Sequence, residues 1–65
     1  MINYIELFGY LTIRENTLYY IITPYGQFPC KSDEFLPVQE PLVVRGRLEL
    51  DKIGIFINIE CYDKC

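Results

Sequence analysis

The sequence predicts an all-β protein that folds as one small barrel of five short strands. Three observations support this prediction. Valine, isoleucine, tyrosine, phenylalanine and threonine, which favour pleated and half-buried surfaces, are abundant along the chain. Apolar and polar residues alternate with a period of two in several segments, and turn residues separate these segments. At 65 residues the chain is expected to form a single domain, 1–65, with a core near the minimum size.

Five segments carry the strand pattern. The expected strands span residues 3–14, 17–23, 27–31, 42–50 and 55–62. Neighbouring strands are separated by a polar hairpin connection at 14–17, a turn with proline and glycine at 23–26 and a short turn at 51–54. Pro29 cannot donate a hydrogen bond to a strand ladder, so it predicts an edge or an ending for the third strand.

The alternation also predicts which side chains face the core. On the first, fourth and fifth strands these are Ile5, Leu7, Gly9, Leu11, Ile13, Leu42, Val44, Gly46, Leu48, Leu50, Ile55, Ile57, Ile59 and Cys61. Residues 32–41 are irregular, because Pro37 and Pro41 leave no room for a helix to continue. We therefore expect a loop between the third and fourth strands.

Two glycines occupy matching positions inside strands. Gly9 in LFGYL and Gly46 in VRGRL each lie on the inward face between two aliphatic residues. Glycine inside a strand costs stability, so its presence indicates a requirement of the backbone. In a small sheet that closes on itself, this requirement is a sharp bend. We expect Gly9 and Gly46 at bends of the first and fourth strands.

The segments Gly9-Tyr10-Leu11 and Val44-Arg45-Gly46-Arg47-Leu48 resemble two elements of the OB-fold, a five-stranded Greek-key barrel. The resemblance spans nearly the whole chain and implies a small antiparallel barrel. One departure is that the helix that usually links the third and fourth strands is replaced by the loop at 32–41. An SH3-like barrel is the alternative. In OB-folds, outer aromatic side chains stack on bases and basic residues follow the nucleic-acid backbone.

Composition argues against several classes of function. The chain has no histidine, which is the usual base at neutral pH and the commonest metal ligand. Ser32 has no evident partner, and the carboxylates are typical of solvated faces and turns. We therefore expect no catalytic residues, no metal site and no cofactor, and the protein is expected not to be an enzyme. The formal net charge of −3 disfavours nucleic acid, which normally binds a basic domain.

The three cysteines are expected to be reduced thiols. Cys61 and Cys65 are not spaced as a redox motif, and three thiolates would need a fourth ligand to hold zinc. Cys61 is predicted to be a buried core residue, Cys65 to lie in a frayed terminus and Cys30 to end the third strand. No apolar run approaches a membrane span, and the N-terminal segment lacks the pattern of a signal peptide. A cytoplasmic location is expected.

The outward face is the remaining place for a function. The candidate binding residues are Phe8, Tyr10, Tyr19, Arg45 and Arg47. Aromatic patches with a few arginines are typical of protein–protein interfaces, and a small chain gains stability by docking. The first hypothesis is a protein-interaction or assembly module whose partner is another protein or a second copy in a homodimer. Single-stranded nucleic-acid binding is the second hypothesis. The alternative to both is that arginine stems merely cover half-exposed tyrosines.

Overall fold

The computed structural model describes residues 3–52 and 54–65. It contains β1 (Tyr4–Glu15), β2 (Leu18–Thr23), β3 (Gly26–Lys31), β4 (Leu42–Leu50) and β5 (Ile55–Lys64). These strands begin and end within two residues of the predicted ones. Across the described ranges there is no helix, and hence none long and apolar enough to cross a membrane.

The strands close into a barrel in the order β1-β2-β3-β5-β4, with β4 pairing back onto β1. The predicted all-β, five-stranded closed barrel is confirmed, and the architecture is consistent with the OB-like resemblance. The expectation of a fully antiparallel barrel is wrong at one seam, because β3 and β5 run parallel. Directions cannot alternate all the way around a ring with an odd number of strands, so a closed ring of five must contain a parallel pair.

Gly9 lies where β1 changes partners. Residues 4–9 of β1 pair with β4, and residues from Tyr10 onward pair with β2. A Cβ added to Gly9 would lie 2.1 Å from the carbonyl oxygen of Ile22. The glycine therefore lets two strands approach more closely than any side chain would allow.

Gly46 lies at a second irregularity, between β4 and β5. Arg45 pairs with Cys61 while Gly46 pairs with Ile59, so Glu60 is an extra residue in β5 and forms a β-bulge. A Cβ added to Gly46 would lie 2.1 Å from the carbonyl oxygen of Asn58. Here too, close approach of two backbones requires the glycine.

Among the described residues, the core consists of eight buried apolar residues from all five strands: Leu11, Tyr19, Ile21, Cys30, Leu42, Val44, Ile57 and Ile59. Tyr19 is 1% exposed, which corrects its predicted place on the outer face. Its hydroxyl donates to the carbonyl oxygen of Glu34 at 3.3 Å and accepts from the N–H of Leu36 at 3.1 Å. Tyr19 is therefore inward because it tethers the loop at 32–41, whose Leu36 packs against the core.

Several residues predicted to face the core are exposed. Four of them lie on the inward side of their strands according to the alternation, but near the strand ends, where no facing residues cover them: Ile13, Leu48, Leu50 and Ile55. Cys61 is exposed for a different reason. The bulge at Glu60 shifts the alternation by one residue, so Cys61 pairs with outward-facing Arg45 instead of continuing the row of Ile57 and Ile59.

Candidate functional site

One candidate site lies along the outer side of β1. Tyr4, Glu6, Phe8 and Tyr10 alternate there with residues that face the core. The aromatic side chains are 47%, 54% and 43% exposed for Tyr4, Phe8 and Tyr10, respectively. Across the β1–β4 ladder Tyr4, Glu6 and Phe8 lie opposite Arg47, Arg45 and Val43, respectively, whereas Tyr10 pairs with Ile22 of β2. We call this set the outer β1 face: Tyr4, Glu6, Phe8, Tyr10, Val43, Arg45 and Arg47.

Both predicted arginines belong to this face, and both are paired with carboxylates. Arg45 lies 2.6 Å from Glu6 through Nε and 2.6 Å from Asp63 through Nη1. The hydrogen bonds that Arg45 donates to Asp63 and Glu6 raise its pKa above the usual value. Arg47 Nε lies 3.1 Å from Glu60. Two arginines thus meet three carboxylates, and the positive charge of the face is neutralised locally.

Cys61 lies within the same face. It interacts with Tyr4, and the pKa of Tyr4 is raised first by desolvation and then by the neighbouring Cys61 thiol. Cys61 also lies opposite Arg45 across the β4–β5 ladder. The bulge at Glu60 places the Cys61 thiol on this surface. The alternation of apolar and polar residues does not reveal the bulge, so it could not have assigned Cys61 to this face.

Of the five predicted binding residues, the structure brings together four: Phe8, Tyr10, Arg45 and Arg47. Tyr19 does not belong to the site, since it lies in the core. Of the exposed aromatic residues that lie elsewhere in the described chain, Tyr25 in the β2–β3 turn and Phe35 in the loop are the most exposed. They are at least 90% exposed.

A second candidate surface lies on the outer side of β2, β3 and β5, beneath the 51–54 turn. It is a groove of about 270 Å³, which we call the β2–β3 groove, lined by Leu18, Tyr20, Pro29, Lys31, Asp51, Gly54, Ile55 and Phe56. Arg14 lies over the ring of Tyr20, 5.2 Å from its centroid. Lys31 lies over the ring of Phe56 at 4.3 Å and also pairs with Asp51 at 2.5 Å. Sequence reasoning missed this pairing of cations with rings, because it depends on the register of β1 with β2 and on the parallel seam between β3 and β5.

Two observations concern the residues that metal binding or nucleophilic chemistry would use. In residues 3–52 and 54–65, no group of three or more cysteine, aspartate or glutamate residues is placed to hold a metal ion. Ser32 is buried, its N–H donates to the carbonyl of Thr17, and its hydroxyl accepts from the N–H of Glu34. Ser32 therefore shapes the start of the loop. Comparison with protein-family models, with curated proteins and with solved structures finds no match to this chain.

Proposed function

We propose that this protein is a small, non-catalytic assembly module that docks protein through its outer β1 face. The observation that carries the proposal is the combination of exposed Phe8 and Tyr10 with arginines already paired to carboxylates. Aromatic residues and arginine are enriched in protein–protein interfaces. A nucleic acid would instead need cations free to meet its phosphates, and here it would have to displace Glu6, Asp63 and Glu60.

The occupant that we propose is a second copy of the chain. A two-fold interface requires a patch that is complementary to itself. The outer β1 face carries both signs of charge beside its apolar rings, so the arginine of one copy can meet a carboxylate of the other. A small domain with a limited core also gains stability when such a face is covered. The module would act in the cytoplasm with its thiols reduced, as its composition predicts.

Sedimentation at a series of concentrations tests this proposal. We expect a concentration-dependent dimer, and we expect Phe8→Ala to raise the concentration needed for dimerisation by about tenfold or more, as loss of an interface hot spot does. Phe35→Ala is the matched control, because Phe35 is even more exposed but lies in the loop. A protein that stays monomeric at high micromolar concentration, or equal effects of both substitutions, would contradict the homodimer.

Single-stranded nucleic-acid binding is the second candidate function, and the β2–β3 groove favours it. Tyr20 and Phe56 offer two rings on one outer surface, with Arg14 and Lys31 beside them. Stacking on rings together with contacts from cations to phosphates is how single strands are held. Against this candidate stand the ion pair of Lys31 with Asp51 and the net charge of −3.

A titration with labelled oligothymidine at two salt concentrations separates the two candidates. If the groove binds nucleic acid, affinity falls steeply with salt, and Tyr20→Ala costs about 1 to 3 kcal/mol of stacking. Tyr25→Ala should then leave affinity unchanged, since Tyr25 lies in the turn beyond the groove. No binding at low salt would exclude this candidate and leave the dimer proposal intact.

A further inference from the structure

The second half of β5 has one edge without a backbone partner. β3 pairs with β5 at Ile57 and Asn58, whereas residues 59–64 pair with β4 alone. In the part of the chain that the structure describes, no backbone hydrogen bond joins residues 59–64 to the loop at 32–41. We call residues 59–64 the β5 edge. The N–H and C=O groups on the side of this edge that faces away from β4 are free to pair with another strand.

A comparable edge on β1 is capped. β1 leaves β4 after Gly9, and at this point the N–H of Gln39 donates to the carbonyl of Leu11 at 2.9 Å. Gln39 adopts a left-handed conformation, with φ of 61°, to make this bond. Such a conformation is unfavourable for a residue with a side chain. The loop thus caps the exposed edge of β1 at a cost in strain, and it leaves the β5 edge open.

A groove separates the β5 edge from the loop. Its volume is about 290 Å³, and its lining comprises Ser32, Asp33, Glu34, Leu36 and residues 58–62. Ile59 is buried and Leu36 half-buried, so the groove contains apolar side chains. Asp33 and Glu34 are exposed at its rim. Neither has a cation within ion-pair distance among the described side chains.

We propose that the β5 edge binds an extended, basic segment of a partner protein as an added strand. In this mode the main chains supply the hydrogen bonds, and alternate side chains give specificity. Lysine or arginine side chains on one side of the segment would lie near Asp33 and Glu34, and apolar side chains on the other would face Leu36. The chain's net charge of −3 also attracts a basic segment.

Charge complementarity selects this occupant over a second copy of the β5 edge. In a second copy the carboxylates of the β5 edge, Glu60 and Asp63, already pair with arginines, and its Lys64 pairs with Glu40, so the edge would bring no unpaired cation to Asp33 and Glu34. Like charges brought together across an interface are unfavourable. The proposed binding uses main-chain groups of the β5 edge and the carboxylates of Asp33 and Glu34, whereas the dimer uses side chains of the outer β1 face, so the two can succeed or fail independently.

The test uses the full chain and a labelled peptide of about seven residues, a typical strand length, in which lysine and valine alternate. Its matched control is the same peptide with N-methylated backbone amides, which keeps the charge but cannot donate strand hydrogen bonds. We expect the control to bind at least about tenfold more weakly, since several net hydrogen bonds are lost. Amides of residues 59–64 that point away from β4 should gain protection from hydrogen exchange only with the unmodified peptide.

Substitutions in the chain test the acidic rim. Asp33→Asn with Glu34→Gln should weaken peptide binding by about three- to tenfold, as expected for two rim contacts. Glu15→Gln, at the end of β1, is the control and should have no effect. The proposal is overturned if no peptide binds, if both peptides bind equally or if binding leaves the β5 amides unprotected. Protection that rises with protein concentration alone would show a second copy at the edge, and would overturn it as well.

Discussion

The two halves of β5 have opposite roles. The first half, residues 55–59, pairs with β4, is also held by β3 at Ile57 and Asn58, and contributes Ile57 and Ile59 to the core. The second half pairs with β4 alone, and all of residues 60–64 are exposed. The β-bulge at Glu60 separates the two halves. A single extra residue thus converts a strand that builds the core into a strand that presents charges and a thiol.

The variant with the largest expected effect replaces Gly46, the residue that permits the bulge. Gly46→Ala should destabilise the protein by about 3 kcal/mol, because the new Cβ would lie 2.1 Å from the Asn58 carbonyl oxygen and would push β4 from β5. Chemical denaturation measures the effect. Gly26→Ala is the control, since no atom lies within 4 Å of the new Cβ, and only the positive φ of 135° is unfavourable. If the two variants lose equal stability, close packing at the bulge is not what requires the glycine.

The second test concerns the loop at 32–41, which faces the second half of β5. Tyr19→Phe should cost about 1 to 2 kcal/mol, because the N–H of Leu36 and the carbonyl of Glu34 lose their partner. The amide of Leu36 should also exchange faster with solvent. Tyr10→Phe removes an exposed hydroxyl and should change stability little. An unchanged exchange rate at Leu36 in Tyr19→Phe would show that the tether does not hold the loop.

The smallest expected effect concerns the thiol of Cys30, which lies beside the first half of β5, and the thiol of Cys61, which lies in the second half. Cys30 pairs with Ile57 and is buried, and this burial raises the pKa of its thiol from 9.0 to about 12, against a smaller lowering by a hydrogen bond with the Ile21 backbone. Cys61 is exposed. A thiol reagent at neutral pH should therefore modify Cys61 and Cys65 in the folded protein, and Cys30 only after unfolding. Rapid modification of Cys30 would show that β3 separates readily from the first half of β5.

The raised pKa of Cys30 also has a consequence for stability. The folded state keeps the proton that the unfolded state releases above its ordinary pKa of 9.0. The contribution of the Cys30 thiol to the free energy of unfolding is therefore fully present below pH 9 and falls as the pH rises from 9 toward 12. At pH 10 the loss is about 1 kcal/mol, and it should be absent in Cys30→Ala. Denaturation of both proteins at neutral pH and at pH 10 measures the difference.

The sequence alone predicts the strands well because a period of two is a local signal. It predicts the faces less well. On β2, Leu18, Tyr20 and Ile22 are as apolar as Tyr19 and Ile21, so the alternation does not say which set faces inward. The loop at 32–41 decides which set faces inward, because the carbonyl of Glu34 and the N–H of Leu36 form hydrogen bonds with the Tyr19 hydroxyl. That requirement appears only when residues far apart in the sequence come together.

The candidate site is predicted in part for a related reason. Phe8, Tyr10 and the two arginines lie on the outer face as the alternation indicates. The carboxylates that neutralise the arginines do not follow from the pattern, because Glu6 is 39 residues from Arg45. Asp63 reaches Arg45 because the bulge at Glu60 shifts the phase of β5. A bulge leaves no mark in a pattern of apolar and polar residues, so neither these ion pairs nor the exposed Cys61 could be foreseen.

The parallel seam has a further consequence, for how two chains can exchange parts. In the described residues β3 and β5 join through two residue pairs, Cys30 with Ile57 and Lys31 with Asn58. When this seam opens, the β4–β5 hairpin is held by β1 and by the loop at 32–41, which Tyr19 and Leu11 tether, so these tethers must open too before the loop can act as a hinge. The hairpin of one chain can then take the same place in another and remake every native contact. Domain swapping is thus a route to a dimer that needs no new surface, and the length of the loop governs it.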